Sequence, residues 1–219
     1  ATRDDRVRYR SARFMPDGAT IVALSDESGE VELWTLPANG VGEPKRLTSD
    51  GEVLRWDTLA SPDGSKIAHT DKNYRLWITD VKTGASTKVD QSEIDNLTDL
   101  AWSPDGRYLA YAAPADNTYP RVKVYDTSTG RSNFVTSDRF VSNSPAWSPD
   151  GKWLYFLSDR NIDSEVGSPW GFMQPEPFFD KLTRVYMVGL KEGERSPWAP
   201  KDELQPKKDD KKDEKKEDA

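Results

Sequence analysis

One histidine, His69, bounds the acid–base and nucleophilic chemistry open to this chain of 219 residues. A Ser-His-acid triad needs an imidazole to take the serine proton, so His69 would have to serve. No Gly-x-Ser-x-Gly elbow accompanies it, and an ordinary strand histidine is the simpler reading of "KIAHTD". The chain has no cysteine, which excludes disulfides, thiolate nucleophiles and thiolate metal sites while leaving the redox compartment open. A zinc site cannot be assembled from one imidazole. The acidic trio Asp159, Asp163 and Glu165 could hold calcium, but its spacing is not that of an EF-hand, and a solvated loop accounts for it equally well. No Gly-rich phosphate loop followed by Lys is present. No residue is therefore assigned a catalytic, cofactor-binding or metal-binding role, and the segment reads as a non-catalytic scaffold.

The strongest candidates for touching a ligand are instead apolar. Residues 160–180, "RNIDSEVGSPWGFMQPEPFFD", place Trp170, Phe172, Phe178 and Phe179 beside Pro169, Pro175 and Pro177. Prolines restrict a loop at small entropic cost, and four aromatic rings are not left on a floppy linker, so an ordered peptide-contacting loop is expected. The alternative is a loop that seals a sheet edge or covers the fold. The formal net charge of −7 gives duplex nucleic acid no broad attraction. No run of about 18 apolar residues exists to cross a bilayer as a helix, so neither nucleic acid nor membrane is expected as a partner. The opening "ATRDDRVRYR" lacks the apolar run of a secretory signal and reads as cut from a longer chain.

What must position these residues is a repeat. "RFMPDGATIVALSD", "LASPDGSKIAHTD", "AWSPDGRYLAYAA" and "AWSPDGKWLYFLS" place Pro16, Pro62, Pro104 and Pro149 at intervals of 46, 42 and 45 residues. Proline presets its φ, Asp bonds nearby backbone and Gly accepts positive φ, so each Pro-Asp-Gly joins two antiparallel strands. A third alternating strand follows in "EVELWTL", "YRLWITD", "RVKVYDT" and "TRVYMVG". Beyond it lie a turn at Gly40, Gly84, Gly130 or Gly193 and a weaker fourth strand such as "STKVD". Four antiparallel strands per unit at this period predict an all-β fold, the blades of a β-propeller. Trp34, Trp77, Trp102 and Trp147 are expected to pack between blades.

The expected blades span about 7–50, 51–95, 96–140 and 141–200 within a propeller region 1–206, followed by a disordered Lys/Asp/Glu linker at 207–219. Four units read as a partial propeller with the rest upstream. The last has a poor outer strand in "RSPWAP", where two prolines interrupt pairing. From turn glycine to later glycine the offsets are 22, 20 and 24 residues, but 42 in the fourth unit, which locates the 160–180 insertion between its second and third strands. That loop shares a face with the inter-blade links.

The Ser-Pro-Asp-Gly repeats, followed by Ser25-Asp26, Thr70-Asp71 and Ser158-Asp159, resemble the propeller repeats of Tol-system proteins and tricorn-type peptidases. "SDESGEVELW" (25–34) and "GSPWGFMQPEPFFDKLTRVYMVGLKEGERSPWAPKDEL" (167–204) look like the closing part of the first propeller in bacterial tricorn protease homologues. The resemblance implies a parent serine peptidase with a further propeller, a PDZ module and a peptidase domain. Its propellers would gate or conduct peptide substrates, its subunits could form a homo-oligomer, and it would work in the cytoplasm or alternatively the periplasm. The family's catalytic Ser and His map onto no position here, and no cofactor is implied. The other class of function is a Tol-type binding scaffold with no attached enzyme.

Overall fold

A computed structural model describes residues 6–51, 53–164 and 179–200. Among these residues every regular element is a strand, and the strands form four antiparallel meanders. The first sheet holds β1 (Tyr9–Phe14), β2 (Thr20–Ser25), β3 (Glu32–Pro37) and β4 (Lys45–Arg46). The second holds β5 (Arg55–Ala60), β6 (Lys66–Asp71), β7 (Arg75–Asp80) and β8 (Ser86–Gln91). The third holds β9 (Thr98–Trp102), β10 (Tyr108–Pro114), β11 (Pro120–Asp126) and β12 (Arg131–Phe134). The fourth has three described strands, β13 (Ser142–Trp147), β14 (Trp153–Ser158) and β15 (Arg184–Gly189); residues 195–200, "RSPWAP", form none.

Each Pro-Asp-Gly turn closes as its residue types dictate. The glycine N–H donates to the carbonyl three residues back, as Gly64 does to Ser61 at 2.8 Å, with Gly64 at a φ of 71° that a side chain would strain. In the last three units the serine before proline adds a second lock. Its hydroxyl meets the turn aspartate and accepts the N–H of the first residue of the next strand, as Ser61 does with Asp63 (2.5 Å) and Lys66 (3.0 Å). The Ser61 hydroxyl, then the Ser65 N–H, hold the Asp63 carboxyl down to about 2. In the first unit Met15 stands at the serine position and Asp17 bonds Thr20 instead. Successive turns touch: a Cβ on Gly106 or Gly151 would lie 3.8 Å from the proline of the preceding turn, so the turns form a stepped ring around one end.

Three apolar seams hold the sheets together. Met15, Val22, Leu24 and Leu33 meet Ile67 across the first. The second joins Leu76, Ile78 and Leu97 to Leu109, Tyr111 and Tyr125, and the third joins Ala110 and Val122 to Leu154 and Phe156. Each fully buried aliphatic or aromatic side chain contributes about 1.5–3 kcal/mol. Trp102 and Trp147 pack in these seams and donate their indole N–H groups to Leu59 and Ala101, one sheet back, at 3.1 and 3.0 Å. Trp77 instead donates to Asp71 of its own sheet, and the buried Trp34 indole nitrogen meets no partner among the described residues. The outer faces of the array leave the same positions uncovered: Phe14, counterpart of Trp102, is 66% exposed, and Val185, counterpart of the buried Leu33, Leu76 and Val122, is 67% exposed.

Candidate functional site: the axial wall and the mouths of the seams

The first strand of each sheet lies at the convergent edge of the array. Thr58 donates to the Ser11 carbonyl at 3.0 Å, and the Ser144 N–H donates to Asp99 at 2.9 Å, each bond joining first strands of adjacent sheets. These strands share a bulge, and at it a left-handed residue five positions before the turn proline: Ser11, Asp57, Asp99 and Ser144, with φ between 40° and 56°. Asp tolerates this region better than most residues, and the strain of holding four such residues recurs at one register. The side chains at the bulge are exposed: Arg10 and Ser11, Trp56 and Asp57, Thr98 and Asp99, and Ser144. The axial wall is thus polar, basic on the first sheet and acidic on the next two.

His69 takes no part in it. The ring is buried between the first two sheets, hydrogen-bonded through Nε2 to Thr79 at 2.9 Å, which in turn meets Ser86 at 2.8 Å. Burial, then the nearby Arg55 charge, push its pKa down to about 3, so the imidazole is neutral and fixed. Of the acidic trio, Asp159 accepts from the Thr183 hydroxyl and pins the two ends of the insertion together; Asp163 is exposed, and Glu165 lies outside the described residues. Trp170, Phe172 and Phe178 also lie outside the described residues, as does the stretch 207–219; Phe179 is half-buried.

The insertion emerges at the end of the array where the inter-sheet links run. Asp159 N–H bonds the Val141 carbonyl of the link at 3.1 Å, as Asn117 reaches Asp138 on the neighbouring sheet at 2.8 Å. Asn161 holds the returning chain through Lys181 and Leu182.

At this end the seams are capped by arginines that sequence reading missed. Strand pairing aligns Ser25, Asp71 and Ser158, opposite Tyr9, Arg55 and Ser142. The dipeptides Thr70-Asp71 and Ser158-Asp159 are therefore one residue out of step. In the second sheet Asp71 accepts from Arg75 Nε (2.7 Å), Trp77 Nε1 (2.8 Å) and the Asn73 N–H (2.9 Å), with Arg75 stacked 5.1 Å from the Trp77 ring centre. Beside it, buried Arg55 donates to Glu32 (2.9 Å), Val31 (2.7 Å) and Asp50 (2.5 Å), while Glu32 also receives the Thr48 hydroxyl and the Gly51 N–H. In the fourth sheet Arg160, from beyond the second strand, covers Tyr186, Phe156 and Phe140 and among the described residues bonds only hydroxyls.

The family model described as the tricorn protease second beta propeller domain matches residues 1–219. The tricorn protease of Thermoplasma volcanium is 28% identical over 204 residues, and tricorn protease homolog 1 of Streptomyces coelicolor is 30% identical over 203. Each alignment takes in 89% of this chain and only 18% of the relative. Among solved structures, the crystal structure of the tricorn protease superposes with a TM-score of 0.76 at 19% identity, covering 87% of this chain and 18% of that one. TolB from Acinetobacter baumannii gives 0.55 at 21% identity, covering 73% and 40%, which speaks for the β-propeller fold alone. The matching model bears the name of the second propeller where residues 167–204 point to the closing part of the first; on either count the family is the tricorn proteases. Matched from its first residue to its last, the chain belongs to the tricorn protease second beta propeller domain family.

Proposed function

We propose that this chain is a non-catalytic propeller segment of a tricorn-like serine peptidase, acting as a gate and conduit for peptide substrates on their way to catalytic groups elsewhere in the parent. The observation that carries this reading is the axial wall. Four first strands converge and present exposed polar and aromatic side chains at one bulged level, among them Arg10, Trp56, Asp57, Thr98, Asp99 and Ser144. Such a wall offers an extended peptide hydrogen-bonding groups without demanding one sequence. Its partners on this reading are peptides and the parent's further propeller, PDZ and peptidase domains, in a cytoplasmic enzyme.

The insertion is the proposed rim element of the gate. Its base is tied at the link end through Asp159, Asn161 and Thr183, and it carries Trp170, Phe172, Phe178 and Phe179 in its sequence. Deleting residues 165–178 from the full-length parent should change the rate at which long peptides are cleaved while sparing a small chromogenic substrate. Equal loss on both substrates would make the insertion an assembly element and remove it from the gate.

A further inference from the structure

We propose that Arg160 is a carboxylate-binding position at the rim of the axial opening, taking the carboxylate of a peptide, whether an Asp or Glu side chain or a free C-terminus. The inference rests on the peptide-handling reading above and comes from comparing two sheets of one molecule. At the mouth of the seam before the second sheet, an arginine stacked on an aromatic ring is neutralised within the fold: Arg75 lies over Trp77 and donates to Asp71. At the mouth of the seam before the fourth sheet, strand register replaces Asp71 by Ser158, Trp77 by Tyr186 and Arg75 by the exposed Arg184, and the aromatic ring is covered instead by Arg160, two residues beyond the second strand.

The Arg160 guanidinium is held in place. Its centre lies 4.8 Å from the Tyr186 ring, 5.4 Å from Phe156 and 5.8 Å from Phe140. Nε donates to Ser158 Oγ at 3.0 Å, and one terminal nitrogen donates to Ser142 Oγ at 3.3 Å. Both serines are buried, and Ser142 opens the first strand of its sheet, which puts the cation at the axial rim. Among the described residues two of its five N–H donors are used and no carboxylate pairs with it. A half-buried guanidinium, oriented by rings and hydroxyls and with its remaining fork unfilled, suits bidentate recognition of a planar anion. The neighbouring Asp159 N–H bonds the Val141 carbonyl of the inter-sheet link, so the site lies at the link end of the array.

The test uses the full-length parent and three fluorescently labelled Gly/Ser/Ala peptides. One has a free C-terminus, one is amidated, and one is amidated but carries a single internal Glu; binding is read by anisotropy before turnover. Wild type should bind one or both carboxylate-bearing peptides roughly tenfold tighter than the neutral one, the value of about one charged hydrogen bond, and the tighter of the two identifies the source. Arg160→Gln should erase the difference. Ser158→Asp, which copies Asp71 and supplies an internal counterion, should erase it too, and answers the question should Arg160→Gln fail to fold. Wild type binding all three peptides equally would overturn the carboxylate site while leaving the peptide reading intact. Binding none would remove both. Discrimination that appears only in Glu165→Gln or Glu176→Gln would hand the site to the chain's own insertion and likewise overturn the proposal.

Discussion

The mouths of the seams before the second and fourth sheets are built on one backbone plan and finished with opposite electrostatics. Before the second sheet, Arg55 and Arg75 are matched by Glu32, Asp50 and Asp71, and the link from Thr48 to Gly51 is stitched down by Glu32. Before the fourth, Ser142 and Ser158 stand where Arg55 and Asp71 stand, and among the described residues Arg160 meets only aromatic rings and hydroxyls. A repeat fold conserves geometry, not charge, so one register can serve as a structural clamp in one blade and as an open binding position in another. The difference assigns stability to the first mouth and ligand contact to the second.

The clamp should be the more costly of the two to break. The side chains of Arg55 and Glu32 are only 6% and 3% exposed, so Arg55→Ala leaves a buried carboxylate without its cation and should destabilise the chain by about 3–5 kcal/mol. Denaturant unfolding followed by tryptophan fluorescence measures it. Replacing both residues by Met should cost far less than the sum of the single changes, and additive losses would refute the coupling.

A pH dependence sharpens the same comparison, because His69 in the second sheet corresponds to Phe156 in the fourth. The folded-state pKa of His69 is lowered to about 3 from an ordinary 6.5, so between these values the unfolded chain binds the proton and the folded chain does not. Its contribution is whole above pH 6.5 and is lost as pH falls toward 3, so that stability at pH 4 is about 3 kcal/mol lower than at neutral pH on this account. His69→Phe should flatten the stability profile over that window. An unchanged slope would place the acid sensitivity elsewhere.

The smallest expected change in this series is Asp71→Ser, which gives the second mouth the hydroxyl chemistry of the fourth. It removes the acceptor for Arg75, Trp77 and Asn73 but leaves Arg75 with access to solvent, so a loss of about 2 kcal/mol is expected in the same unfolding experiment. A neutral result would mean that the second mouth does not need its acid.

Much of this architecture was legible in the chain. Pro16, Pro62, Pro104 and Pro149 announce the blades because Pro-Asp-Gly can form few structures other than the turns seen, and the indoles of Trp102 and Trp147 bridge adjacent sheets as expected for inter-blade packing. The contrast between the mouths was not legible. Thr70-Asp71 and Ser158-Asp159 match as letters, but a strand slip of one residue decides which of them faces the arginine, and that slip is set by pairing across the sheet. Nor do Ser11, Asp57, Asp99 and Ser144 advertise a left-handed bulge. Serine and aspartate are ordinary loop and edge residues, and only the convergence of four first strands gives their common position a meaning.

The central claim, that peptides pass along the wall made by these first strands, is tested most directly by narrowing it. Thr98 stands exposed on the third sheet at the register that Trp56 occupies on the second, so Thr98→Trp adds bulk that the scaffold already accommodates one blade away. The measurement is the ratio of the cleavage rate of a long unstructured peptide to that of a small chromogenic substrate, in the full-length parent with and without this change. Passage along the axis predicts that the ratio falls severalfold while small-substrate turnover holds. An unchanged ratio in a folded Thr98→Trp parent would contradict it.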